Sequence, residues 1–540
     1  MAIAEIHVLT YMTRYTAGVR AQFWETWGLT ARGFRGVWRL WRDMVRRHNG
    51  IGPVWSRLRE IWLQEGAAGL RRRLSVVYAV MLAEETTHSY SPAATRPSAT
   101  RLWRSRADHE RGRNSALDRT YRELFEHARH ARSGVGPAYV ARAERCLDSN
   151  DLAIKAVAFY LPQFHRIPEN DSWWGPGFTE WTNVSKALPQ FLGHYQPRLP
   201  GDLGFYDLRV PDVLREQVAM AGQYGLHGFC FHYYWFSGHR LLERPLQQFL
   251  ADRSLKFRFC LCWANENWTR RWDGSDDDVL IAQNHAPGDD VAFLDSIAPM
   301  LRDDRYIRVD GKPLLIVYRA SVLPNAVETA ARWRKRATEL GFAGLYLVAA
   351  RTFGTLDPRP LQFDAAVDFP PHQGGVRDIT ADCQLLNPDF RGIVRRYDEV
   401  ADFYAQEGET DYVTFKTVMP GWDNQARNPG AGLTLIGSTP ERYAHWLERA
   451  CAQTLSNGGS TRLLFINGWN EWAESAYLEP DRRLGYAYLD ATARVLERFP
   501  AVTCSARSHT DVAASAPASK RLPLSRDDSG RELRCVRRKL

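Results

Sequence analysis

The chain has 540 residues, a length that exceeds one ordinary domain and suggests two to four domains with a large core. Its formal net charge of +9 belongs to the ends of the chain, because residues 1–75 carry 13 arginines against 5 acidic side chains. Residues 151–504 carry a net charge of about −7. A protein that is basic throughout is therefore excluded.

Cysteine usage and hydropathy exclude further classes of protein. The eight cysteines have no regular spacing, so the sequence indicates no disulfide framework, and no Cys/His cluster has the spacing of zinc ligands. No run of about 18 apolar residues is present, and the first residues lack the order of a secretory signal. We therefore predict a cytoplasmic protein with no metal, no cofactor and no transmembrane span.

Residues 1–88 are predicted to be a basic helical region rich in arginine and tryptophan. Trp38 and Trp41, for example, lie three residues apart between arginines, a spacing typical of basic amphipathic helices. Such helices lie on anionic lipid, which would place residues 1–75 at the inner membrane face, or they pack against a neighbouring domain. Nucleic acid is not expected as a partner, because no recognised nucleic-acid motif accompanies the basic pattern.

Two further segments flank the predicted catalytic domain. Residues 89–150 begin with a stretch rich in Ser, Pro, Ala and Arg and are predicted to be a linker, with a short helical piece between Ala116 and Cys146. Residues 501–540 have a similar composition and are predicted to be a disordered basic tail.

Short apolar runs alternate with helical patterns over residues 151–500. Val210–Tyr224 and Thr329–Leu340 are examples of the helical pattern. Eight such runs predict an α/β fold, a (β/α)8 TIM-type barrel with the basic helical extension before it and the disordered tail after it. The predicted strands are Ala156–Leu161, Gly228–Tyr233, Phe257–Trp263, Pro313–Tyr318, Gly344–Ala350, Ala365–Phe369, Val413–Met419 and Leu463–Asn467.

Two glutamates, Glu471 and Glu474, follow the last predicted strand, where parallel α/β folds carry their active sites. In a helical turn this spacing places the two Cβ atoms about 5–6 Å apart. Two carboxyl groups that close favour one acid and one base, which is what glycosidic-bond chemistry requires. The alternative is a helix start whose glutamates complement the dipole. The neighbouring Trp469 and Trp472 favour the catalytic interpretation, because a solvated charged face does not need large aromatics.

Aromatic and hydrogen-bonding side chains cluster at the predicted ends of strands one, two, three, seven and eight. Aromatic faces suit sugar rings, and polar groups bind hydroxyls, so we predict a carbohydrate ligand. Core packing is the alternative for any single tryptophan, a buried histidine for His165, and an arginine partner for Glu180. The predicted substrate-binding residues are His165, Trp173, Trp174, Glu180, Trp181, Tyr233, Tyr234, Trp263, Asn265, Glu266, Asn267, Trp268, Trp422, Asp423, Asn424, Arg427, Trp469, Asn470, Trp472 and Glu479.

Six motifs occur in order within about residues 154–495. They are Tyr160–His165, Gly177–Asn183, His194–Pro197, Trp263–Trp268, Gly421–Asn424, and Trp469–Glu474 with Leu478–Asp481. Together they closely resemble the WbsX-type glycosyltransferase family, which is also described as glycoside hydrolase family 99-like after the endo-α-mannosidases. The resemblance implies a (β/α)8 barrel and a role in building bacterial surface polysaccharide, such as O-antigen of lipopolysaccharide or capsule.

The resemblance also implies separate roles for the two glutamates. In the hydrolases the Asn-Glu-Trp-x-Glu motif supplies both catalytic carboxylates. Glu471 would then be the base that acts on the sugar 2-hydroxyl, giving a 1,2-anhydro intermediate with retention, and Glu474 the general acid/base. Ala473 departs from the hydrolase pattern, which commonly has His there. This departure weakens the analogy to the hydrolases in activity and in substrate. It does not weaken the assignment of the carboxylate pair.

Several functions are compatible with these residues. Glycosyl transfer to an oligosaccharide or lipid-linked glycan and hydrolysis by a retaining endo-acting glycosidase use the same acid/base pair, so the sequence does not separate them. A metal-dependent nucleotide-sugar transferase would use Asp276, Asp277 and Asp278 to hold a divalent ion, although such acidic runs are usually solvated loops. The paired carboxylates argue against a non-catalytic glycan-binding module.

Overall fold

The computed structural model describes residues 138–501 apart from 271–274, 355–356, 374, 407–409 and 458–460, together with residues 118, 119, 121–123 and 125. The predicted basic region at 1–88 and residues 502–540 of the predicted tail lie outside the described residues. The predicted helical piece between Ala116 and Cys146 is partly described. Residues 118, 119, 121–123 and 125 are helical, whereas residues 139–148 contain no helix, and Val140 and Leu147 form bridges to Gly485 and Tyr224.

Within the described part of the chain, eight parallel strands form a closed ring. Each strand pairs with the next along the chain, and the last pairs with the first. The strands are β1 (Lys155–Tyr160), β2 (Gly228–Phe236), β3 (Arg258–Trp263), β4 (Lys312–Val317), β5 (Tyr346–Arg351), β6 (Ala365–Asp368), β7 (Val413–Phe415 and Thr417–Val418) and β8 (Leu463–Ile466). The predicted (β/α)8 barrel is confirmed, because every predicted strand overlaps an observed one.

Helices lie between the barrel strands along the described part of the chain, and one further helix follows the last strand. They are α1 (Pro168–Trp174), α2 (Glu180–Lys186), α3 (Pro211–Gln223), α4 (Arg244–Ala251), α5 (Asp289–Leu301), α6 (Ala326–Glu339), α7 (Tyr397–Gln406), α8 (Pro440–Ser456) and α9 (Ala487–Leu496). The two helical patterns predicted from the sequence correspond to α3 and α6. Asn325 caps α6, and Thr439 caps α8 with proline at the first helical turn.

Short strands and 3-10 turns occupy the connections. The added strands are His239–Leu241, Trp268–Arg270, Ser275–Ile281, Arg308–Val309, Ile393–Arg396, Leu433–Ile436, Asn470–Glu471 and Ala476–Tyr477. The 3-10 turns are Ser149–Asp151, Ala320–Val322, Arg359–Leu361, Thr380–Asp382, Asn424–Ala426 and Trp472–Glu474. No helix in the described residues is both long and apolar enough to cross a membrane.

Aromatic rings fill the interior of the barrel. Phe159 of β1 packs against Phe465 of β8 and against Phe369, which follows β6, with ring centroids 5.5 and 4.8 Å apart. The carbonyl of Phe159 accepts a hydrogen bond from the backbone of Trp469 at 2.7 Å. The packed interior therefore continues directly into the segment after β8 that carries the two glutamates.

A pair of glycine variants tests the close approach of β2 to β3. A Cβ added at Gly228 would lie 2.5 Å from the carbonyl oxygen of Arg258, and backbone atoms in a sheet yield little. We expect Gly228→Ala to destabilise the protein by about 1–3 kcal/mol and to lower the melting temperature in calorimetry.

The matched control is Gly222→Ala in α3. A Cβ added at Gly222 meets nothing within 4 Å, and alanine favours a helix over glycine by roughly 0.5–1 kcal/mol, so stability should hold or rise. Equal melting temperatures for the two variants would contradict the close contact between β2 and β3.

Candidate active site

Glu471 and Glu474 lie on a short turn after β8. Glu471 ends the strand Asn470–Glu471, and Trp472–Glu474 form one 3-10 turn. Ser475, in the left-handed conformation with φ of 55°, ends that turn, and the chain returns as a strand antiparallel to the first. The alternative interpretation of this segment as a helix start is therefore wrong, because a strand follows the turn. Both glutamates lie at the C-terminal end of the barrel strands.

Asn470 fixes this segment to the end of β1. Its side-chain oxygen accepts a hydrogen bond from the backbone N–H of Leu161 at 2.7 Å, and its side-chain nitrogen donates to the carbonyl of Leu161 at 2.9 Å. The side chain thus pairs with one peptide unit in the way a neighbouring strand would. Asn470 is fully buried, so its role in this structure is to hold Glu471 in place.

Arg427 contacts three carboxylates among the described side chains. Its Nε lies 2.6 Å from Glu180, Nη2 lies 2.8 Å from Glu471, and Nη1 lies 2.5 Å from Glu474. Glu180 is the first residue of α2, and Arg427 follows the 3-10 turn Asn424–Ala426. A planar guanidinium has donors pointing in several directions in one plane, which suits this geometry. We call these four residues the carboxylate cluster.

Burial governs the protonation of the cluster. It raises the pKa of Glu471 to about 8, and Glu474 and Glu180 add to this effect while Arg427 opposes it. Burial also raises the pKa of Glu474, again opposed by Arg427. Burial lowers the pKa of Arg427. The three carboxylates together raise this pKa by more than burial lowers it, so Arg427 stays charged. The pair of glutamates therefore retains a proton near neutral pH, which provides one acid and one base.

His232 borders the cluster without adding charge to it. Its Nε2 lies 3.8 Å from Glu471, and its ring stacks on Phe159. Burial, and then the charge of Arg427, lower the pKa of His232 to about 4. The imidazole is therefore neutral at neutral pH.

Asp423 is hydrogen-bonded to the backbone of Glu474. Its backbone N–H donates to the carbonyl of Glu474 at 2.7 Å. Its carboxylate, which is buried, lies 2.6 Å from Nε2 of His194 and 2.7 Å from the side-chain nitrogen of Gln196. The backbone of Gln190 donates to Nδ1 of His194, so Nε2 carries the proton and donates to Asp423. This network positions the loop that carries Glu474.

Glu479 is hydrogen-bonded to Trp472, which lies between Glu471 and Glu474 in the sequence. Its carboxylate accepts hydrogen bonds from the Trp472 indole at 2.6 Å, the Tyr206 hydroxyl at 2.9 Å and the Gln217 amide at 2.7 Å. Burial raises the pKa of Glu479 to about 7, although these hydrogen bonds oppose the rise. The carboxylate is buried and faces protein groups, so it orients Trp472 beside Glu471.

The predicted substrate-binding residues fall into two groups by exposure. Trp173, Trp174, Glu266, Asn267, Trp268, Asn424 and Arg427 keep part of their surface open. A second group is enclosed by protein: His165, Glu180, Trp181, Tyr233, Tyr234, Trp263, Asn265, Trp422, Asp423, Trp469, Asn470, Trp472 and Glu479. Enclosure corrects the expectation of direct contact for the members that are at most 3% exposed, because a ligand cannot reach a side chain without accessible surface. Trp181, Tyr234 and Trp422, at 7–9%, are more open than Glu471 at 5%, and for these three direct contact stays a prediction.

Individual contacts in the enclosed group support this correction. His165 bonds to the carbonyl of Pro162 at 3.0 Å, which is the buried-histidine alternative. Asn265 exchanges two hydrogen bonds with the backbone of Arg319. Tyr234, at 9% exposure, differs from the others because it packs against the partly open Trp268 at 5.0 Å.

Three aromatic residues at the same end of the barrel have no functional role in the prediction from sequence. Tyr318 follows β4, Phe353 lies two residues after β5, and His372 lies after β6. Tyr318 was assigned to the end of a predicted strand without a functional role, while Phe353 and His372 occur in no motif. Isolated aromatics after a strand carry little sequence signal.

The acidic run that the metal-dependent alternative would use falls on the hairpin strand after β3. The side chains of Asp276 and Asp277 lie outside the described residues, and Asp278 lies in the strand Ser275–Ile281. In the part of the chain that is described, no group of three His, Cys, Asp or Glu side chains is arranged to hold a metal ion.

A family model described as Glycosyltransferase WbsX matches residues 156–492. The chain belongs to the WbsX glycosyltransferase family. The resemblance predicted from the six motifs is thereby confirmed.

Two curated relatives share this region. They are WxcX proteins from two strains of Xanthomonas campestris pv. campestris, each 54% identical over 347 residues, which is 64% of this chain and 50% of the relative. The chain therefore spans about half the length of the curated relatives it matches.

The chain is also similar to solved structures. One is a GH99 endo-α-mannosidase from Bacteroides thetaiotaomicron, 15% identical, with a TM-score of 0.41 over 65% of this chain and 98% of that one. Another is described as a glycoside hydrolase-like protein, 13% identical, with a TM-score of 0.44 over 66% of this chain and 98% of that one.

The raised pKa of Glu471 predicts a pH-dependent stability difference. An ordinary Glu has a pKa of 4.5, so between that pH and about 8 the folded state keeps a proton that the unfolded state releases. This group therefore contributes less stability as pH rises through that window. Glu471→Gln removes the effect, so its melting temperature should exceed that of the wild type by a few degrees near pH 9 and by less near pH 5.

Glu448→Gln is the control for this measurement. Glu448 lies on α8 and makes an exposed ion pair with Arg498, which contributes little. Its melting temperature should follow that of the wild type at both pH values. A Glu471→Gln difference that is the same at pH 5 and pH 9 would contradict the raised pKa.

Proposed function

We propose that the chain is a retaining glycosyltransferase that transfers a sugar between glycans during assembly of a bacterial surface polysaccharide, O-antigen or capsule. The observation that carries this proposal is the pair of the buried Glu471 and the partly exposed Glu474 on one guanidinium, Arg427, at the C-terminal end of the barrel strands. One proton shared by two carboxyl groups provides general acid and general base in one site. WbsX membership supports a glycan, either an oligosaccharide or a lipid-linked glycan, as substrate.

The first step would form a 1,2-anhydro sugar, and it starts from the form of the pair in which the one retained proton lies on Glu474 and Glu471 is ionised. Glu471 accepts the proton of the 2-hydroxyl while O2 attacks C1 of the donor sugar. The bond from C1 to the linking oxygen breaks, and that oxygen takes the proton of Glu474. The leaving glycan departs as an alcohol, Glu471 is then protonated, and Glu474 is ionised.

The second step reverses these proton transfers. The hydroxyl oxygen of an acceptor sugar attacks C1, and its proton goes to Glu474. The bond from C1 to O2 breaks, and O2 recovers the proton from Glu471. Both carboxyl groups return to their starting states, and the configuration at C1 is retained over the two steps. Arg427 stays charged throughout and stabilises whichever glutamate is ionised.

A retaining endo-acting glycoside hydrolase is the second candidate. Its chemistry differs only in the acceptor, which is water, so the carboxylate cluster serves it equally well. The size of the products separates the two, because hydrolysis yields only shorter glycans whereas transfer also yields longer ones.

Glu474→Gln tests the catalytic assignment. The substrate is a set of oligosaccharides released by mild acid from the surface polysaccharide of the source bacterium, with products followed by mass spectrometry. An amide cannot donate the proton, so we expect kcat to fall by about 10²–10⁴-fold. Binding, measured by calorimetry, should change little because the shape of the side chain is kept.

Two controls accompany this experiment. Glu448→Gln on the outer helix α8 should retain wild-type turnover, whereas full activity in Glu474→Gln would refute the assignment. Adding excess chelator to the wild type examines the nucleotide-sugar alternative, because loss of activity would favour a metal-dependent transferase over the carboxylate pair.

We also propose that residues 1–75 bring the enzyme to the cytoplasmic face of an anionic membrane, where lipid-linked glycans are assembled. The support is the excess of arginine and the tryptophan spacing in that segment. Sedimentation with vesicles of phosphatidylglycerol should be strong for the full chain and weak for a chain that starts at residue 76. Equal sedimentation of the two would refute this proposal.

A further inference from the structure

The three aromatic residues after β4, β5 and β6 form a continuous group. The Tyr318 hydroxyl lies 2.8 Å from Nε2 of His372, and the rings of Phe353 and His372 have centroids 5.0 Å apart. The rings of Tyr318 and Phe353 are 6.4 Å apart. We call Tyr318, Phe353 and His372 the β4–β6 aromatic group.

Phe353 is unusual in both exposure and backbone conformation. Its side chain is 45% exposed, and its φ of 47° lies in the left-handed region that bulky residues rarely adopt. The guanidinium of Arg319 lies over the ring, 4.3 Å from its centroid, and pairs with Glu266 at 3.0 Å. Strained residues persist where the surroundings hold them, often at ligand sites. A ligand that covers the ring would account for keeping an exposed aromatic there.

The β4–β6 aromatic group lies on the Glu474 side of the catalytic pair. In a ring of eight strands, β4 to β6 are across the barrel from β8, β1 and β2. Oε1 of Glu471 lies 3.8 Å from Nε2 of His232 on β2, whereas the carbonyl of Glu474 accepts a hydrogen bond from Asp423 in the loop after β7, the neighbour of β6. In agreement with this geometry, burial and then the charges of Glu266 and Glu474 raise the pKa of Tyr318, and burial and then the charge of Glu471 raise the pKa of Tyr234. Tyr234, Trp268 and Trp173 therefore form a second aromatic group on the Glu471 side.

We propose that the β4–β6 aromatic group is the acceptor subsite, which binds the uncharged sugar that receives the glycosyl group. This inference rests on the proposed function. In the two-step reaction Glu474 protonates the departing oxygen and later takes the proton of the acceptor hydroxyl, so the acceptor must bind on the Glu474 side. The exposed ring of Phe353 suits the apolar face of a sugar, and Arg319, Glu266 and His372 offer hydrogen bonds to hydroxyls.

The charges that surround the site favour an uncharged acceptor. Arg319 is already paired with Glu266, and Arg427 already contacts Glu180, Glu471 and Glu474. Among the side chains described here, an acceptor with a carboxylate or phosphate would meet these acidic groups together with two guanidiniums, Arg319 and Arg427, that already pair with them. A sugar with hydroxyl groups alone avoids this repulsion.

The experiment measures how much of the 1,2-anhydro intermediate reacts with an acceptor sugar and how much reacts with water. The full chain reacts with the released oligosaccharides in water enriched in oxygen-18, and mass spectrometry counts longer products against labelled ones. Both arise from the same 1,2-anhydro intermediate, so their ratio reports the second step alone. We expect Phe353→Ala to lower the ratio of transfer to hydrolysis about three- to tenfold, the range of an aromatic contact.

Two variants control this measurement. Phe353→Tyr keeps the ring and should keep the wild-type ratio. Phe403→Ala removes an aromatic of similar exposure, 38%, from α7 and should also leave the ratio unchanged. An unchanged ratio in Phe353→Ala, in an enzyme that does form longer products, would overturn the acceptor subsite alone. Failure of the proposed function is distinguished because it shows elsewhere: a wild type that yields labelled products alone would overturn transfer in favour of hydrolysis, and activity retained by Glu474→Gln would overturn the carboxylate pair.

Discussion

The contact of Arg427 with Glu180, Glu471 and Glu474 is the interaction on which the site depends. Removing a carboxylate from water is costly by several kcal/mol per ion, and attraction to a buried cation offsets part of that cost. Arg427 follows β7, Glu180 follows β1, and the catalytic pair follows β8. The guanidinium thus joins three loops that meet where the ring closes. Because one positive charge faces three acids, the lowest free energy near neutral pH keeps a proton on the pair.

Buried polar residues around the carboxylate cluster hold the loops that carry Glu471 and Glu474 in fixed positions. Asn470 pairs with a peptide unit of β1, Asp423 holds the carbonyl of Glu474, and Glu479 accepts the indole N–H of Trp472. A buried polar group without a partner is costly, so each of these hydrogen bonds also constrains the loop that carries it. Asn470, Asp423 and Glu479, which look like sugar ligands in the sequence, are thereby explained as supports of Glu471 and Glu474.

The barrel could be predicted because strands buried on both faces read as continuous apolar runs. The largest boundary error is at β2, which runs on to Phe236 because His239–Leu241 pairs with its end. The two glutamates could be predicted because they are neighbours in sequence. The contact of Arg427 with Glu180 joins residues 247 positions apart, and no local pattern encodes it. Spacing likewise cannot separate the fully buried Trp469 from the partly open Trp268, since only the packed fold decides which face is covered.

Whether such a site transfers or hydrolyses is a question of binding more than of acid/base chemistry. In the proposed mechanism water and a sugar hydroxyl would both deliver their proton to Glu474, so the carboxylate cluster would not discriminate between them. A bound and oriented acceptor can compete with bulk water, because positioning raises its effective concentration by orders of magnitude. That positioning must come from side chains beyond the cluster, on the side where Glu474 meets the acceptor. Aromatic surface at β4 to β6, remote in sequence from both glutamates, is therefore where the two reactions of this fold would diverge.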